Sequence, residues 1–405
     1  MQIRVYRGTH QIGGCITEIK TSAARIIIDM GEELPSAHRP CAEPIEIDGV
    51  TVGEPNCDGV LITHYHGDHA GMFDRVLPSV PVYMGAVAKK IYTVVQTALK
   101  NKLGKGDPSR VHGFHEFTAG KPLYFGDIKV TPYSIDHSAF DAYMLLIESN
   151  GKRVLHTGDF RMHGAKGRTM PALLEKYCKN VDVLITEGTM LSRTREKTVT
   201  EHQLGAEATK LLRDNKYVFA LCSSTNIDTI AEFYNAAIKT NKPFIVCEKD
   251  FQGEILNIVT ENSTSSFYDF KRRKVFYYGK NLHDLMREKG FFFLGRTNHA
   301  TRQAIQNFPD SLLIYSMWSG YLNKNHPAFD EYKSEFIIGA ANAGCKITQL
   351  HTSGHATLDE IARLCEITEA KTVIPIHSEN PEALMLSGMK NTVKILQDNE
   401  IFDVK

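Results

Sequence analysis

Along the first third of the chain the apolar positions fall into short β-branched runs. Ile3 to Tyr6, Cys15 to Ile19 and Ile26 to Asp29 read as strands, parted by Gly13-Gly14 and by a Ser-Ala turn. A looser loop carrying Pro35, Pro40, Pro44 and Pro55 follows, and Gly59 to Thr63 then predicts a buried strand. Residues 85 to 100 have helical composition, whereas 127 to 135, 143 to 148, Arg153 to His156 and Val181 to Thr186 read as strands. From about residue 193 the rhythm changes. Glu201 to Arg213 and Asp228 to Lys239 predict helices, and Tyr217 to Cys222 and Phe244 to Cys247 predict strands. The alternation runs on through a helix at Thr301 to Asn307 and a strand at Ser311 to Tyr315, the pattern of a mostly parallel α/β unit. A strand at Lys346 to Leu350, a helix at Leu358 to Cys365 and a strand at Lys371 to Ile376 complete the pattern. The sequence holds no internal repeat and no low-complexity segment.

Composition narrows the function classes. At 405 residues the chain has room for two or three domains, and 42% hydrophobic with 23% charged residues is ordinary for a globular protein. Lys+Arg and Asp+Glu balance at 47 each, which excludes bulk attraction to a polyanion; any affinity for one must come from a local patch or a metal. The most basic run, Lys271-Arg272-Arg273-Lys274, reads as a solvated helix or turn face. The eight cysteines are scattered, the closest pair being Cys41 and Cys57, so no CxxC spacing is present. The first residues, MQIRVYRGTH, carry no apolar signal segment, and the longest apolar runs are strand-sized. A soluble, reduced, cytoplasmic protein with no membrane partner is the expectation. Histidine is the anomaly, with 17 in the chain and several in one tight run.

That run is His64-Tyr65-His66-Gly67-Asp68-His69, directly after a predicted buried strand. Imidazoles and a carboxylate on one loop converge on a small volume and suit Zn²⁺ and other borderline first-row ions; a chance polar loop is the plain alternative. Further ligand types stand at other strand ends: Asp136-His137 after Ser134-Ile135, Asp159 after Leu155-His156, and His377 after Pro375-Ile376. Strand ends are where α/β folds place their sites.

These motifs give the chain a specific resemblance. HxHxDH, met by His64, His66, Asp68 and His69, is similar to the signature of the metallo-β-lactamase superfamily. The chain resembles in particular the β-CASP branch and its ribonuclease J-like members. His137 stands in Asp-His-Ser, Asp159 in Gly-Asp-Phe-Arg and Glu187 in Thr-Glu-Gly-Thr. His355 stands in Thr-Ser-Gly-His-Ala and His377, 22 residues later, in Pro-Ile-His-Ser-Glu. The resemblance implies an α/β fold: an αββα sandwich over 1–192 and 349–405, interrupted by an α/β β-CASP domain over 193–348. It implies two divalent metal ions, with Zn²⁺ favoured and Mn²⁺ the alternative. His64, His66 and His137 would hold one ion, Asp68, His69 and His377 the other, and Asp159 would bridge. Asp68 would also orient the attacking water or take its proton. Glu187 would accept the free N–H of a ligand histidine, and His355 would contact the scissile phosphate or protonate the leaving oxygen.

Substrate contacts are sought where strands of the later α/β unit end. Ser223, Ser224 and Asn226 form a strand-to-helix turn that suits a terminal 5′-phosphate and equally a simple helix N-cap. Ser319 lies in Ser316-Met317-Trp318-Ser319-Gly320-Tyr321, whose Trp318 and Tyr321 could stack on bases, although Trp318 reads equally as an interdomain core residue. Ser353 joins these through the His355 motif. Arg161, Lys166, Arg168, Arg193 and Arg195 are the candidate phosphate contacts. Two features depart from ribonuclease J: Gly67 stands where Glu is usual, and the chain ends 28 residues after His377, without room for an extra C-terminal domain. The second weakens close orthology and leaves a homodimer open. His377 favours the RNA-processing side of the branch. The expected function is therefore a metal-dependent ribonuclease acting on single-stranded RNA, as exonuclease, endonuclease or both. The rivals are a small-molecule hydrolase of the same superfamily and a non-catalytic RNA-binding relative. The long insertion argues against the first, and the full ligand set against the second.

Overall fold

The computed structural model describes residues 1–34, 45–193 and 198–405; Pro35, Pro40, Cys41, Pro44 and Arg195 lie outside them. Two compact units divide the chain. The first takes the described residues up to Arg193 and again from Gly354 onward, and the second takes Thr198–Ser353.

The first unit is built on two sheets. One holds β1 (Gln2–Arg7), β2 (Ile16–Lys20), β3 (Arg25–Ile28), β4 (Gly59–Ile62), β5 (Val82–Gly85) and β6 (His115–Phe117), antiparallel from β1 to β3 and parallel from β3 to β6. The other starts as an antiparallel meander of β7 (Leu123–Phe125), β8 (Ile128–Ser134), β9 (Tyr143–Ser149) and β10 (Lys152–His156), and then β11 (Val183–Glu187) runs parallel to β10.

The second unit follows, with β12 (Tyr217–Cys222), β13 (Phe244–Val246), β14 (Val275–Tyr277), β15 (Phe291–Gly295), β16 (Leu312–Ser316) and β17 (Lys346–Gln349). They make one parallel sheet in the order β14-β13-β15-β12-β16-β17 around an aromatic core that includes Phe219, Phe291, Phe293 and Phe308. The sequence pattern foresaw neither β14 nor the central β15, nor the helices Glu254–Asn262, His283–Lys289 and Glu331–Asn342. The expected boundary at 348 would cut β17, which pairs with β16 and so belongs to the second unit.

On its return the chain adds β18 (Thr372–Ile376) beside β11, β19 (Thr392–Val393) beside β18, and β20 (Ile401–Asp403) beside β1, so among the described residues each sheet of the first unit has seven strands. Inward residues of both sheets, among them Ile3, Ile26 and Leu61 facing Val130, Leu145 and Ile374, share one core, which makes the unit a sandwich. β10, β11 and β18 are parallel and in register, with Glu187 opposite Ile376, so their carboxyl ends line up at one rim.

In the second unit the helices Glu201–Asp214 and Ile227–Lys239 touch where Gly205 leaves space for the Glu232 carboxylate. Burial, and after it the charge of Glu201, pushes the Glu232 carboxyl up to about 7. A raised folded-state pKa means that its stabilising contribution is complete below the unfolded value and is lost as pH rises through about 7. Glu232→Gln is therefore expected to match wild type at pH 4.5 and to be more stable at pH 8, by roughly 1–3 kcal/mol. Urea melts at both pH values check this, and equal midpoints at pH 8 would count against it.

Candidate metal centre

β4 is buried throughout, and its end delivers Thr63 and His64 directly to the rim. The short helix Gly67–Ala70 is pinned by backbone bonds from Cys15, Met30 and Glu32 to the carbonyls of Asp68, His69 and Gly67. A Cβ at Gly67 would meet nothing within 4 Å, so packing does not require the glycine that stands where the family usually has Glu. Asp159 arrives after β10 through Gly158, which has φ +57° and whose Cβ would strike the Thr63 side chain at 2.9 Å. His377 follows β18 in the left-handed region, at φ +52°, with its N–H donated to the Gly8 carbonyl.

The rim gathers the seven expected ligands into two neighbouring groups. His64, His66 and His137 form one, and Asp68, His69, Asp159 and His377 the other, with ligand atoms within 4.8 Å of one another. Asp159 faces both: Oδ1 is 3.2 Å from His69 Nε2, and Oδ2 is 3.8 Å from His64 Nε2 and 3.9 Å from His137 Nε2.

Hydrogen bonds behind the rings fix which nitrogens face inward. Asp29, absent from the sequence-based site, is fully buried at φ +62°, a conformation that Asp tolerates better than most residues. It accepts the Thr63 N–H (2.7 Å), the Thr63 hydroxyl (2.9 Å) and His69 Nδ1–H (2.8 Å). With its hydrogen committed, the Thr63 hydroxyl can only accept from His64 Nδ1, at 3.1 Å. His137 Nδ1 donates to the Gly354 carbonyl at 2.7 Å. Nε2 of all three rings is thereby turned inward, as a lone pair on His64 and His137 and toward Asp159 Oδ1 on His69. Those of His64 and His69, with both Asp159 oxygens, are buried without a hydrogen-bond partner among the described residues. His137 Nε2 also stands 3.2 Å from His66 Nδ1. The buried His64 lone pair and the Asp159 oxygens face one another with no hydrogen between them, which only a cation reconciles, so the donor set fits divalent metal ions.

Electrostatics divides the groups. Burial pushes His64 and His137 well down, and His66 to about 4, which keeps three neutral imidazoles. In the other group burial would lower His69, but the carboxylates of Asp159 and Asp29 outweigh it and hold the imidazole well above its ordinary value. Burial would likewise raise Asp159 and Asp68. The charges of His377, His69 and His355 hold Asp159 low, and the His377 hydrogen bond with the neighbouring imidazole charges holds Asp68 low. Asp29→Asn would cost His69 its acceptor and leave its tautomer unfixed. Metal affinity is expected to fall by about 10–100-fold, measured by competition with a chromogenic chelator.

Three further residues sit differently from expectation. Glu187 takes the Nδ1–H of His355 (3.2 Å), together with the backbone N–H groups of Phe160, Thr189 and Ala356, and not that of a ligand histidine. The carboxylate that does stand behind one of the expected ligand rings is Asp29, behind His69. Arg161, read as a phosphate contact, is completely buried with Nε 3.4 Å from Asp136 Oδ1, so no substrate reaches it. Lys166 is half-buried with Nζ over the Phe140 ring, Arg193 is half-buried, and Arg168 is exposed. Cys15, read only as one of the scattered cysteines, is buried with its thiol among the ligand atoms of His69 and His377.

Comparison with known proteins follows this geometry. A family model described as a beta-lactamase superfamily domain matches residues 24–219. A second, described as a Zn-dependent metallo-hydrolase RNA specificity domain, matches residues 342–387, which include His355 and His377. The chain belongs to the metallo-β-lactamase superfamily. Within the superfamily it is ribonuclease J-like. Ribonuclease J of Corynebacterium glutamicum is 21% identical over 424 residues, covering 98% of this chain and 57% of the relative. Ribonuclease J 1 of Streptococcus pyogenes serotype M3 is 22% identical over 361 residues, covering 84% and 61%. The chain thus spans little more than half the length of these curated relatives. A crystal structure of a protein of unknown function from Enterococcus faecalis V583 shares the fold, with a TM-score of 0.78 at 18% identity and 99% of both chains covered. No helix of the described residues is long and apolar enough to cross a membrane.

In this superfamily member the inserted unit carries the other expected contacts. β12 pairs with β16, which puts the Ser223 turn and the Ser319 turn at the same sheet end. Ser223 is exposed with Oγ 2.9 Å from Thr225 Oγ1, and Ser224 is buried with no partner for its Oγ among the described residues. Asn226 caps the helix Ile227–Lys239 by accepting the Thr229 N–H, so the plain N-cap reading describes it. Trp318 is half-buried, edge-on to Tyr321 and His326, and is therefore not a core residue. Ser319 is exposed, and Ser353 is half-buried next to Thr352, which ties the end of the unit to its start by bonding the Val199 carbonyl.

Proposed function

We propose that this chain is a metal-dependent hydrolase that cleaves phosphodiester bonds of single-stranded RNA at a binuclear centre. One observation carries the reading: two neighbouring groups of buried or half-buried ligand residues both face Asp159, beside a His355–Glu187 couple. His64, His66 and His137 would hold one ion and Asp68, His69 and His377 the other, with Zn²⁺ preferred by the imidazole-rich set over Mn²⁺. When bound, two divalent ions supply Lewis-acid activation of water and of the phosphoryl oxygen.

The chain's own groups do the rest. Asp68, whose Oδ2 faces His377 Nε2 at 3.1 Å, orients the attacking water and takes its proton. Burial lowers the His355 pKa, but Glu187, and after it Asp159, outweigh burial and push it up to about 9. With Nδ1–H held by Glu187, His355 would contact the phosphate and donate a proton to the leaving oxygen. In the inserted unit, Ser223, Ser224, Asn226 and Ser319, with Ser353 near its return, would contact the RNA backbone or its 5′ end.

The test uses end-labelled RNAs carrying a 5′-monophosphate or a 5′-hydroxyl, incubated with Zn²⁺ or Mn²⁺. Product lengths separate exonuclease from endonuclease action. No cleavage of RNA or single-stranded DNA, with wild type and Asp68→Ala alike, sinks the proposal. His355→Ala is expected to lower kcat by about 10²–10⁴-fold while elemental analysis finds unchanged metal content. The homodimer that the resemblance leaves open is checked by light scattering on the same sample.

A further inference from the structure

The basic run Lys271-Arg272-Arg273-Lys274 has no part in the centre. It forms a turn that leads into β14, the edge strand of the inserted sheet. Three of its four cations, Lys271, Arg273 and Lys274, line a cavity of about 210 Å³ whose other walls include Gly253, Phe270 and Tyr277. Among the described residues no acidic side chain lines it. Lys271 does pair with Glu261 at 3.0 Å, but both side chains are well exposed, so an incoming anion can displace that bridge. Arg273 bonds the neutral side chain of Asn241, and Lys274 Nζ lies 4.9 Å from the centroid of the Phe276 ring. Neither pairs with an acid among the described residues.

The ring wall is built as closely as the charged one. Tyr277 presses onto the backbone of Gly253, where a Cβ would come within 2.6 Å of Cε1. Gly253 ends the π-helical turn Lys249–Gly253, a rare conformation that concentrates at functional sites. Lys249 adds a further cation, with Nζ 5.9 Å from the centroid of the Tyr277 ring. A solvated basic face would spread its charges into water; here three of these residues line one space with aromatic walls, and their long side chains can swing to a ligand there. Phosphate oxygens suit the cations, and a planar base suits the ring.

We propose that this cavity is a nucleotide-binding site, taking phosphate against Lys271, Arg273 and Lys274 and the base against Tyr277. Two sources present that chemistry: an internal nucleotide of single-stranded RNA, and a free nucleoside monophosphate. The site uses no residue of the hydrolytic centre and needs no metal, so it stands or falls separately from the hydrolase reading.

The test compares the full chain with a Lys271→Gln/Arg273→Gln/Lys274→Gln variant and with Tyr277→Leu. Each is titrated with an uncleavable 2′-O-methyl 12-mer, followed by fluorescence anisotropy, and with UMP and AMP by calorimetry. If RNA is the source, the triple variant loses about 10-fold in affinity at 150 mM salt, and its slope of log K against log salt is shallower by about 2. Tyr277→Leu then loses roughly 5-fold or more with the slope unchanged. If the free nucleotide is the source, wild type binds it one to one and both variants lose at least about 10-fold while RNA binding stays the same. Should both variants, shown by circular dichroism to be folded, bind both ligands as wild type does, the proposal is overturned. Weakening by the charge variant alone also overturns it, because it identifies an unspecific basic face.

Discussion

Asp159→Asn is expected to lower RNA hydrolysis by about 10³-fold or more and to reduce bound metal from about two ions per chain to one or fewer. The substitution keeps the side chain's shape and removes only its charge. Asp159 is the carboxylate that stands 3.2 Å from His69 Nε2 in one ligand group and 3.8 Å from His64 Nε2 in the other. Neither of its oxygens has a hydrogen-bond partner among the described residues, so a cation is the partner the geometry leaves for them. An amide offers one weaker oxygen and turns N–H hydrogens toward a space already ringed by imidazoles. Elemental analysis and single-turnover cleavage measure the two effects separately. Wild-type metal content together with a wild-type rate would remove Asp159 from the centre.

The second large effect is on stability. Asp136→Ala should destabilise the first unit by about 3–5 kcal/mol, because it deletes the carboxylate facing the Arg161 guanidinium where both side chains are fully buried. The surroundings cannot close over the loss. Gly164 packs against both partners, and a Cβ there would already come within 2.5 Å of Arg161 Nε and 2.7 Å of Asp136 Oδ2. Asp136→Ala/Arg161→Met is expected to recover much of the deficit, since an apolar pair of similar volume carries no desolvation cost. Denaturant melts of both variants decide the matter, and a double variant no more stable than the single one would contradict the assignment. His137 is the next residue, so the single variant should also bind metal less tightly.

The clustering of the seven proposed ligands was legible because the signal is local: a buried apolar run ends, and a ligand-type side chain follows within a few residues. β4 into His64, β10 into Asp159 and β18 into His377 all have that form. What stayed illegible depends on partners distant in sequence. Asp29 closes an ordinary-looking strand, and its importance lies in accepting bonds from Thr63 and His69, some 34 to 40 residues on. Arg161 follows the expected ligand Asp159 in a basic stretch and so resembled a substrate contact, but the structure places it in the interior beside Asp136. Glu187 was foreseen as an acceptor, but its donor, His355, comes 168 residues later in the chain. Phe291 to Leu294 was missed as a strand for a different reason. A strand buried on both faces has no alternation to read.

The pairing of β11 with β18 also sets a schedule for the nascent chain. Glu187 and His377 end on neighbouring strands, yet the ribosome must add 190 residues between them. At about 5–20 residues per second this is a wait of roughly 10–40 s. Throughout it β11 is an unclaimed apolar edge, and the histidine-rich loop has been made without its last ring. The inserted unit emerges during that interval, and its Thr198 and Ser353 ends bracket the gap. His377 therefore reaches the metal centre only after the inserted unit has been made, and β20 completes the other sheet beside β1 later still.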